Sequence, residues 1–467
     1  MTARELKNYF KGQFQIPPTS GRDSSDITLE RFSPSDLSEK IWQYHVCLDH
    51  VEKCINSAHE SFSKWKSFEV AERRKHLDLF VKKLEEQKDE LVETLSLENG
   101  QPLDTNRKEL ELVINQSPDL LDLYEKELKA TDHSVSNPRG PAVLIGSFSH
   151  PFFFTQRFLL ANLICGNPIV LKPSEKVSLT IEKIVSCLHQ SEFPSGVINL
   201  IHGQGGGEVS RRLVKDKRFR VVFFTGSREV GLSLYELATT DLERAVSFSL
   251  SQKNICLLAP HFSEEKALTE LINACYQSSG QDCTRTSLVF IPKENAQDFV
   301  EKFHQESKKL IIDQPKKNSF MGPLIDQQSA DNFVLFMGMA KREGYEEIMR
   351  GKQLDRTPRG HFVSPSIHYS EQFKDKSHFL QENLLGPSVT FLAYGNFEEA
   401  ISMANSIELP SLISLYGATE SEIKLAQSSL DTSTLLVDKP TTAVLESLNT
   451  SLRVFDICRK KLCVVKN

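Results

Sequence analysis

The sequence predicts an α/β fold made of two strand-and-helix series behind a helical leader. Three observations carry this expectation. From His50 to about Leu97 apolar residues fall three and four apart, with Ala58, Phe62 and Trp65 on one stripe and Leu77, Leu79, Phe80, Val81 and Leu84 on a second face. After Pro138 the rhythm changes to short β-like runs alternating with helical ones, and from Asn254 a second such series begins and continues to about Ala418. This alternation implies mainly parallel sheets covered on both faces, with ligands bound at the carboxyl ends of the strands.

Taken in order, the region up to about residue 40 is polar, and Pro17, Pro18 and Gly21 mark it as irregular. Glu98-Asn99-Gly100 breaks the helical pattern, and a further helix is expected through Leu110 to Leu128. Strands are expected at Ala142 to Phe148, Asn167 to Lys172, Val197 to His202 and Val221 to Phe224, with helices at Phe152 to Ile164 and Leu179 to His189. The second series opens with a strand at Ile255 to Leu258, a helix at Glu264 to Tyr276 and a strand at Ser287 to Pro292. The tail from Arg453 to Val465 reads as two short strands. Like the segment Tyr124 to Val135, it has no obvious partner within either domain.

The length of 467 residues exceeds what one hydrophobic core supports, so two or three domains are expected. A net charge of −6 excludes a general nucleic-acid binder, which needs concentrated Lys and Arg. Met1 to Phe14 scatters Arg4, Glu5, Lys7 and Lys11 where a signal peptide would be apolar, and no apolar run approaches the ~20 residues that span a bilayer, so a cytoplasmic protein is expected. The nine cysteines form no CxxC pair and no His-spaced cluster, which predicts free thiols and no metal site.

Several strand ends carry residues suited to a nucleotide. Lys172-Pro173-Ser174-Glu175 offers a cation and a carboxylate for a ribose, and Glu175 disfavours the extra phosphate of NADP. Gly203-Gln204-Gly205-Gly206-Gly207 follows another strand. Phe224-Thr225-Gly226-Ser227 leads into Gly231 at a spacing that opens a helix, where free N–H groups meet a pyrophosphate. Any one fragment is ordinarily just a turn; three at successive strand ends point to a dinucleotide site. Ser279-Gly280-Gln281-Asp282-Cys283-Thr284 then places a cysteine on a Gly-bearing loop between a helix and a strand, where a thiol is more accessible than in a core.

Together these segments resemble the aldehyde dehydrogenase superfamily over nearly the whole chain. Glu98-Asn99-Gly100-Gln101-Pro102-Leu103, Lys172-Pro-Ser-Glu, Phe224-Thr-Gly-Ser, Gly280-Gln-x-Cys283, Gly322-Pro323-Leu324-Ile325, Phe362-Val-x-Pro365, Gly386-Pro387 and Ala404-Asn405 follow the family order. The pattern is most similar to succinylglutamate semialdehyde dehydrogenases. The resemblance implies a Rossmann-like cofactor domain (1–119 and 137–252), an α/β catalytic domain carrying the Cys loop (253–435) and a β oligomerisation arm (120–136 and 436–467). It implies NAD held by Lys172, Ser174, Glu175, Gly203, Thr225, Gly226, Ser227 and Gly231, and a homodimer or homotetramer with no nucleic-acid or membrane partner. Its chemistry would be attack of the Cys283 thiolate on an aldehyde, a semialdehyde being one candidate. Hydride transfer to NAD and hydrolysis of the thioester would follow. The oxyanion would be held by the Cys283 N–H and a side chain at position 149.

The sequence departs from that family at informative places. Ser149 replaces the oxyanion Asn, and Ser249 replaces the general-base Glu in Phe248-Ser249-Leu250-Ser251-Gln252-Lys253. Ser251 and Gln252 stand for two glycines, Asn383 for the Glu that grips the nicotinamide ribose, and Leu385 for a Phe. The C-terminal Pro-Phe-Gly-Gly loop is not recognisable between Thr441 and Ser451. A lost oxyanion donor costs on the order of 100- to 1000-fold in rate, and a lost base a similar factor or more. His150 replaces an apolar or aromatic residue beside the oxyanion position. An imidazole of pKa about 6.5 there is a candidate base for Cys283 or for water; a plain space-filling role is the alternative. Three readings stay open at this point: a slow NAD-linked aldehyde dehydrogenase, a coenzyme A-acylating variant without the base, and a non-catalytic binding or assembly protein.

Overall fold

A computed structural model describes residues 3–18, 27–129, 134–408, 410–447 and 458–462. The chain opens with β1 (Arg4–Glu5), β2 (Asn8–Phe10) and β3 (Gln13–Gln15), then the antiparallel pair β4 (Thr28–Ser33) and β5 (Asp36–His45). The leading region is therefore built of strands rather than irregular. Its exposed face is charged, and its buried one is carried by Ile41, Trp42 and Tyr44.

Helices α1 (Leu48–Lys66), α2 (Val70–Glu86), α3 (Lys88–Asn99) and α4 (Leu103–Leu128) follow. In α1 the buried Val51, Cys54, Ile55, Ala58 and Trp65 recur at helical spacing, as the sequence requires. Helix α4 starts about two turns earlier than expected and takes in Tyr124, which is buried on a helix and not in a strand.

The first βαβ series comprises β6 (Ser134–Pro138), β7 (Ala142–Ile145), α5 (Pro151–Cys165), β8 (Ile169–Lys172), α6 (Ser178–His189), β9 (Ile198–Leu200), α7 (Glu208–Lys215), β10 (Val221–Gly226), α8 (Arg228–Ala238) and β11 (Ala245–Leu250). Its seven-stranded sheet has the order β11-β10-β7-β8-β9-β2-β3. From β7 the chain winds one way through β8 and β9, then returns to place β10 and β11 on the other side. A crevice opens where the winding reverses, at the carboxyl ends of β7 and β10. Strand β7 stops at Ile145, so Gly146 to Phe148, expected as strand, form part of the loop over that crevice.

The second series begins directly with β12 (Asn254–Leu258), α9 (Glu264–Tyr276), a 3-10 turn (Gln277–Gly280) and β13 (Thr286–Pro292). It continues through α10 (Lys293–Ser307), α11 (Gln327–Arg342), β14 (Glu346–Met349), β15 (Ser366–Ser370), α12 (His378–Gln381), β16 (Ser388–Tyr394), α13 (Phe397–Asn405), β17 (Leu412–Tyr416), α14 (Glu420–Ser429) and β18 (Thr434–Val437). A second seven-stranded sheet has the order β14-β15-β16-β13-β12-β17-β18 and is parallel except at β14. Strand β19 (Cys458–Leu462) joins neither large sheet; it pairs antiparallel with β6 in a separate two-stranded ribbon. The rest of the expected tail strands lies outside the described residues. Among the described residues no helix is long and apolar enough to cross a membrane.

One buried carboxylate ties the helical leader to the first sheet. Glu98, at the end of α3, accepts from Trp42 Nε1 (2.7 Å), Leu179 N (2.9 Å) and both Thr180 N (2.7 Å) and Thr180 Oγ1 (2.6 Å). It thereby caps α6 and pins β5. Burial raises its pKa, while these donors offset part of that cost. Glu98→Ala leaves buried donors unmatched and is expected to destabilise the fold by roughly 3 kcal/mol or more, read as a lower urea-unfolding midpoint.

Candidate active site

The Cys283 loop reaches its position through a left-handed turn. Ser278, Ser279 and Gly280 have φ of 55°, 54° and 63° in succession, a conformation that non-glycine residues hold only when their surroundings enforce it. Those surroundings are backbone. A Cβ on Gly280 would stand 2.2 Å from the Gly386 carbonyl oxygen, and one on Gly322 1.9 Å from that of Gly100. Ser279 Oγ donates to Gly322 O (2.8 Å), and Ile325 N donates to Gln281 Oε1 (2.7 Å). From the strand side, Asn254 Nδ2 donates to the carbonyls of Cys283 (2.9 Å) and Arg285 (3.0 Å).

Cys283 emerges half-buried on the floor of a cleft of about 1040 Å³ that lies between the two large sheets. Its backbone N–H donates to Ser149 Oγ at 3.2 Å, so the two expected oxyanion groups do meet. Ser249 also lines the cleft, and a hydroxyl there accepts no proton near neutral pH. Asn383 lines the opposite wall and donates through Nδ2 to Ser251 Oγ (2.8 Å), across the mouth of the cleft. The loop bearing Asn383 is held by two buried basic side chains, and burial lowers the Lys253 pKa well below its usual value. Lys253 Nζ donates to Phe379 O (3.0 Å) and Glu382 O (2.6 Å), and Arg285 donates to Ser388 O (2.8 Å) and to Leu384 O.

His150 begins helix α5 in a left-handed conformation (φ 46°). Its Nε2 lies 2.8 Å from Asp282 Oδ1, an ion-pair distance without the alignment of a good hydrogen bond, and its Nδ1 lies 3.8 Å from Glu109 Oε2. Glu109 also caps α5 by accepting from Phe152 N (2.9 Å) and Phe153 N (3.0 Å). Burial opposes charge on His150, but Asp282, with Glu109 behind it, outweighs burial and holds the imidazole pKa well above its usual value. An ordinary imidazole was expected here; the two carboxylates instead favour its protonated form. Burial pushes the Cys283 thiol up to about 11, and the His150 cation pulls against it.

The nucleotide residues divide into two groups. Ser174, Glu175, Thr225, Gly226 and Ser227 line the cleft, as do Gly205 and Asn383. Lys172 is fully buried beneath them, and its Nζ lies 3.8 Å from Glu175 Oε2. Neither atom has a hydrogen-bond partner among the described residues, and burial lowers the Lys172 pKa to about 8. A buried cation beside a carboxylate oxygen, both unbonded, matches the hydroxyls of a ribose. Gly203 and Gly231 do not line the cleft. Gly203 packs on Val209, and a Cβ on Gly231 would stand 2.3 Å from Leu250 Cδ2, so these two serve helix–strand packing. Glu109, Lys253 and Arg285 were not singled out from the sequence. Only Lys253 left a signal there, as one of two intact members of its segment, with Leu250.

Residues 22–450 match the model of the aldehyde dehydrogenase family. The chain is 26% identical over 418 residues to malonate-semialdehyde dehydrogenase 1 of Oceanobacillus iheyensis, covering 86% of this chain and 83% of that protein. It is 26% identical over 396 residues to a 1-pyrroline-5-carboxylate dehydrogenase of Staphylococcus epidermidis, covering 82% and 76%. A solved structure of 1-pyrroline-5-carboxylate dehydrogenase from Thermus with bound NAD superposes with a TM-score of 0.87 at 20% identity, over 99% of this chain and 93% of that one.

The thiol makes a direct check of these electrostatics. Because only the thiolate is alkylated, iodoacetamide labelling of Cys283 is expected to be slow at pH 7 and still rising above pH 9. Peptide mass spectrometry reads the rate; a plateau below pH 8 would show a thiol far more acidic than this site provides.

Proposed function

The chain belongs to the aldehyde dehydrogenase family, and on that premise we propose that it oxidises an aldehyde slowly, with NAD as acceptor, through a covalent step at Cys283. The observation that carries the reading is the junction of Cys283 and Ser149 on the floor of a cleft whose far end holds the unbonded Lys172 Nζ and Glu175 Oε2. These two atoms would hold the ribose hydroxyls, and Glu175 would favour NAD over NADP. Ser227 and the start of α8 would face the pyrophosphate. When bound, NAD accepts the hydride released from the substrate carbon.

Cys283 Sγ adds to the aldehyde carbon as its proton leaves, and the new oxyanion sits between the Cys283 N–H and the Ser149 hydroxyl, which turns from acceptor to donor. The His150 cation lies close enough to favour both the thiolate and the oxyanion. After loss of hydride the acyl group remains on Cys283 as a thioester. Water must then attack it without help from Ser249, so hydrolysis is the slow step, and proton and acid leave together. A semialdehyde is the substrate class we favour; the malonate kind is in keeping with the name of one relative, whereas the succinylglutamate kind suggested by the sequence pattern has no counterpart among the relatives named above. The ribbon of β6 and β19, whose outer edges have no described partner, supports assembly as a dimer or tetramer.

A second reading, a protein that binds the dinucleotide without turnover, draws on the high thiol pKa and the absent base. Rapid mixing of concentrated protein with NAD and aldehyde separates the two. The proposal expects a burst of NADH approaching one per chain and then a steady rate lower by a factor on the order of 100 or more. Cys283→Ala removes both phases. NAD binding with no burst would establish the second reading, and acceleration of the steady phase by coenzyme A would make a thiol the acyl acceptor.

A further inference from the structure

Beside the cleft, the thiol and imidazole that the proposed oxidation uses meet a carboxylate, Asp282, to which it gives no direct part. One ligand atom each from His150, Asp282 and Cys283 lies within 4.8 Å of the other two. From these positions we propose that Cys283 Sγ, His150 Nε2 and the Asp282 carboxylate form a binding site for a borderline divalent cation of the Zn(II) type, which caps the nucleophile.

The donor set is one that zinc accepts: a soft sulfur, an imidazole nitrogen and a carboxylate oxygen, with the fourth position open toward the cleft. The outer groups are those that orient metal ligands. Glu109 Oε2 stands 3.8 Å from His150 Nδ1, so a histidine ligating through Nε2 would turn its other ring nitrogen to a carboxylate. Thr284 donates its backbone N–H (2.6 Å) and its hydroxyl (2.7 Å) to Asp282 Oδ1, fixing that carboxylate. His150 Nε2 is buried and has no hydrogen bond, although it stands against Asp282. The left-handed backbone at His150 points the ring inward at a conformational cost, which the helix cap by Glu109 helps to hold.

Charge balances as well. The cation displaces the Cys283 thiol proton and the His150 Nε2 proton to water. Thiolate and carboxylate then neutralise its two charges in a largely buried place. No contiguous Cys or His motif announces such a site, because its ligands come from two loops 132 residues apart in sequence (150 to 282).

The test uses the full chain after chelator treatment, with Zn(II) as probe and iodoacetamide labelling followed by peptide mass spectrometry. One equivalent of Zn(II) is expected to suppress labelling of Cys283 while leaving Cys47, the other half-buried described cysteine, unaffected. His150→Phe and Asp282→Asn should each abolish that protection, and Glu109→Gln should weaken Zn(II) binding about 10-fold or more. Co(II) in place of Zn(II) should give a thiolate-to-metal absorption band that Cys283→Ala lacks, a readout independent of labelling and of turnover. Unchanged Cys283 labelling with Zn(II), or protection that survives in folded His150→Phe and Asp282→Asn, would overturn the proposal.

Discussion

The close approach of Gly280 to Gly386 is the constraint on which the site depends. With no room for a Cβ between them, the Cys283 loop is locked against the loop that carries Asn383. The same lock continues outward. Ser279 and Gln281 bind the Gly322–Ile325 turn, and Gly322 lies on Gly100 at the start of the α3–α4 connection. Glu98, two residues before Gly100, reaches into the first sheet through α6 and β5. Backbone contact therefore runs from the nucleophile to the helical leader, and strain in the left-handed turn at Ser278 and Ser279 is sustained by the packing around it.

Electrostatics inside this frame are spent on positioning. Lys253 and Arg285, both buried, make no described ion pair with a carboxylate and instead hold the carbonyls of residues 379–388. Two carboxylates favour the protonated form of His150, beside a thiol whose pKa burial raises. On the proposed reading, the serine at position 249 and the raised thiol pKa act in the same direction, and both would slow acyl chemistry without touching the Lys172–Glu175 end of the cleft.

Most of the fold was legible because βαβ units alternate between two periodicities. Helix α9 and the strands β8, β10, β12 and β13 fall where the apolar runs place them, within a few residues at the ends. The β4–β5 pair was hidden by Glu30, Glu39 and Lys40 on its outer positions and by the buried Arg31, although Ile41, Trp42 and Tyr44 carried the signal of a buried face. The pairing of β6 with β19 joins segments more than 300 residues apart, and no local pattern encodes such a register. At the site, Cys283, Ser149 and Glu175 were readable as motif positions. Gly203 and Gly231 shared those motifs yet serve packing, because a glycine at a strand–helix junction answers to a neighbouring side chain as readily as to a phosphate. Glu109 could not be found from sequence, since only the fold brings α4 beside the start of α5.

The central claim is that Cys283 still carries an acyl group formed from an aldehyde and loses it slowly. Acid quenching of the protein after brief exposure to NAD and a semialdehyde, followed by mass spectrometry of the intact chain and its peptides, tests this directly. The account predicts an acyl adduct on the peptide containing Cys283, formed only when NAD is present and absent from Cys283→Ala. An unmodified Cys283 under conditions where NAD is bound would contradict it.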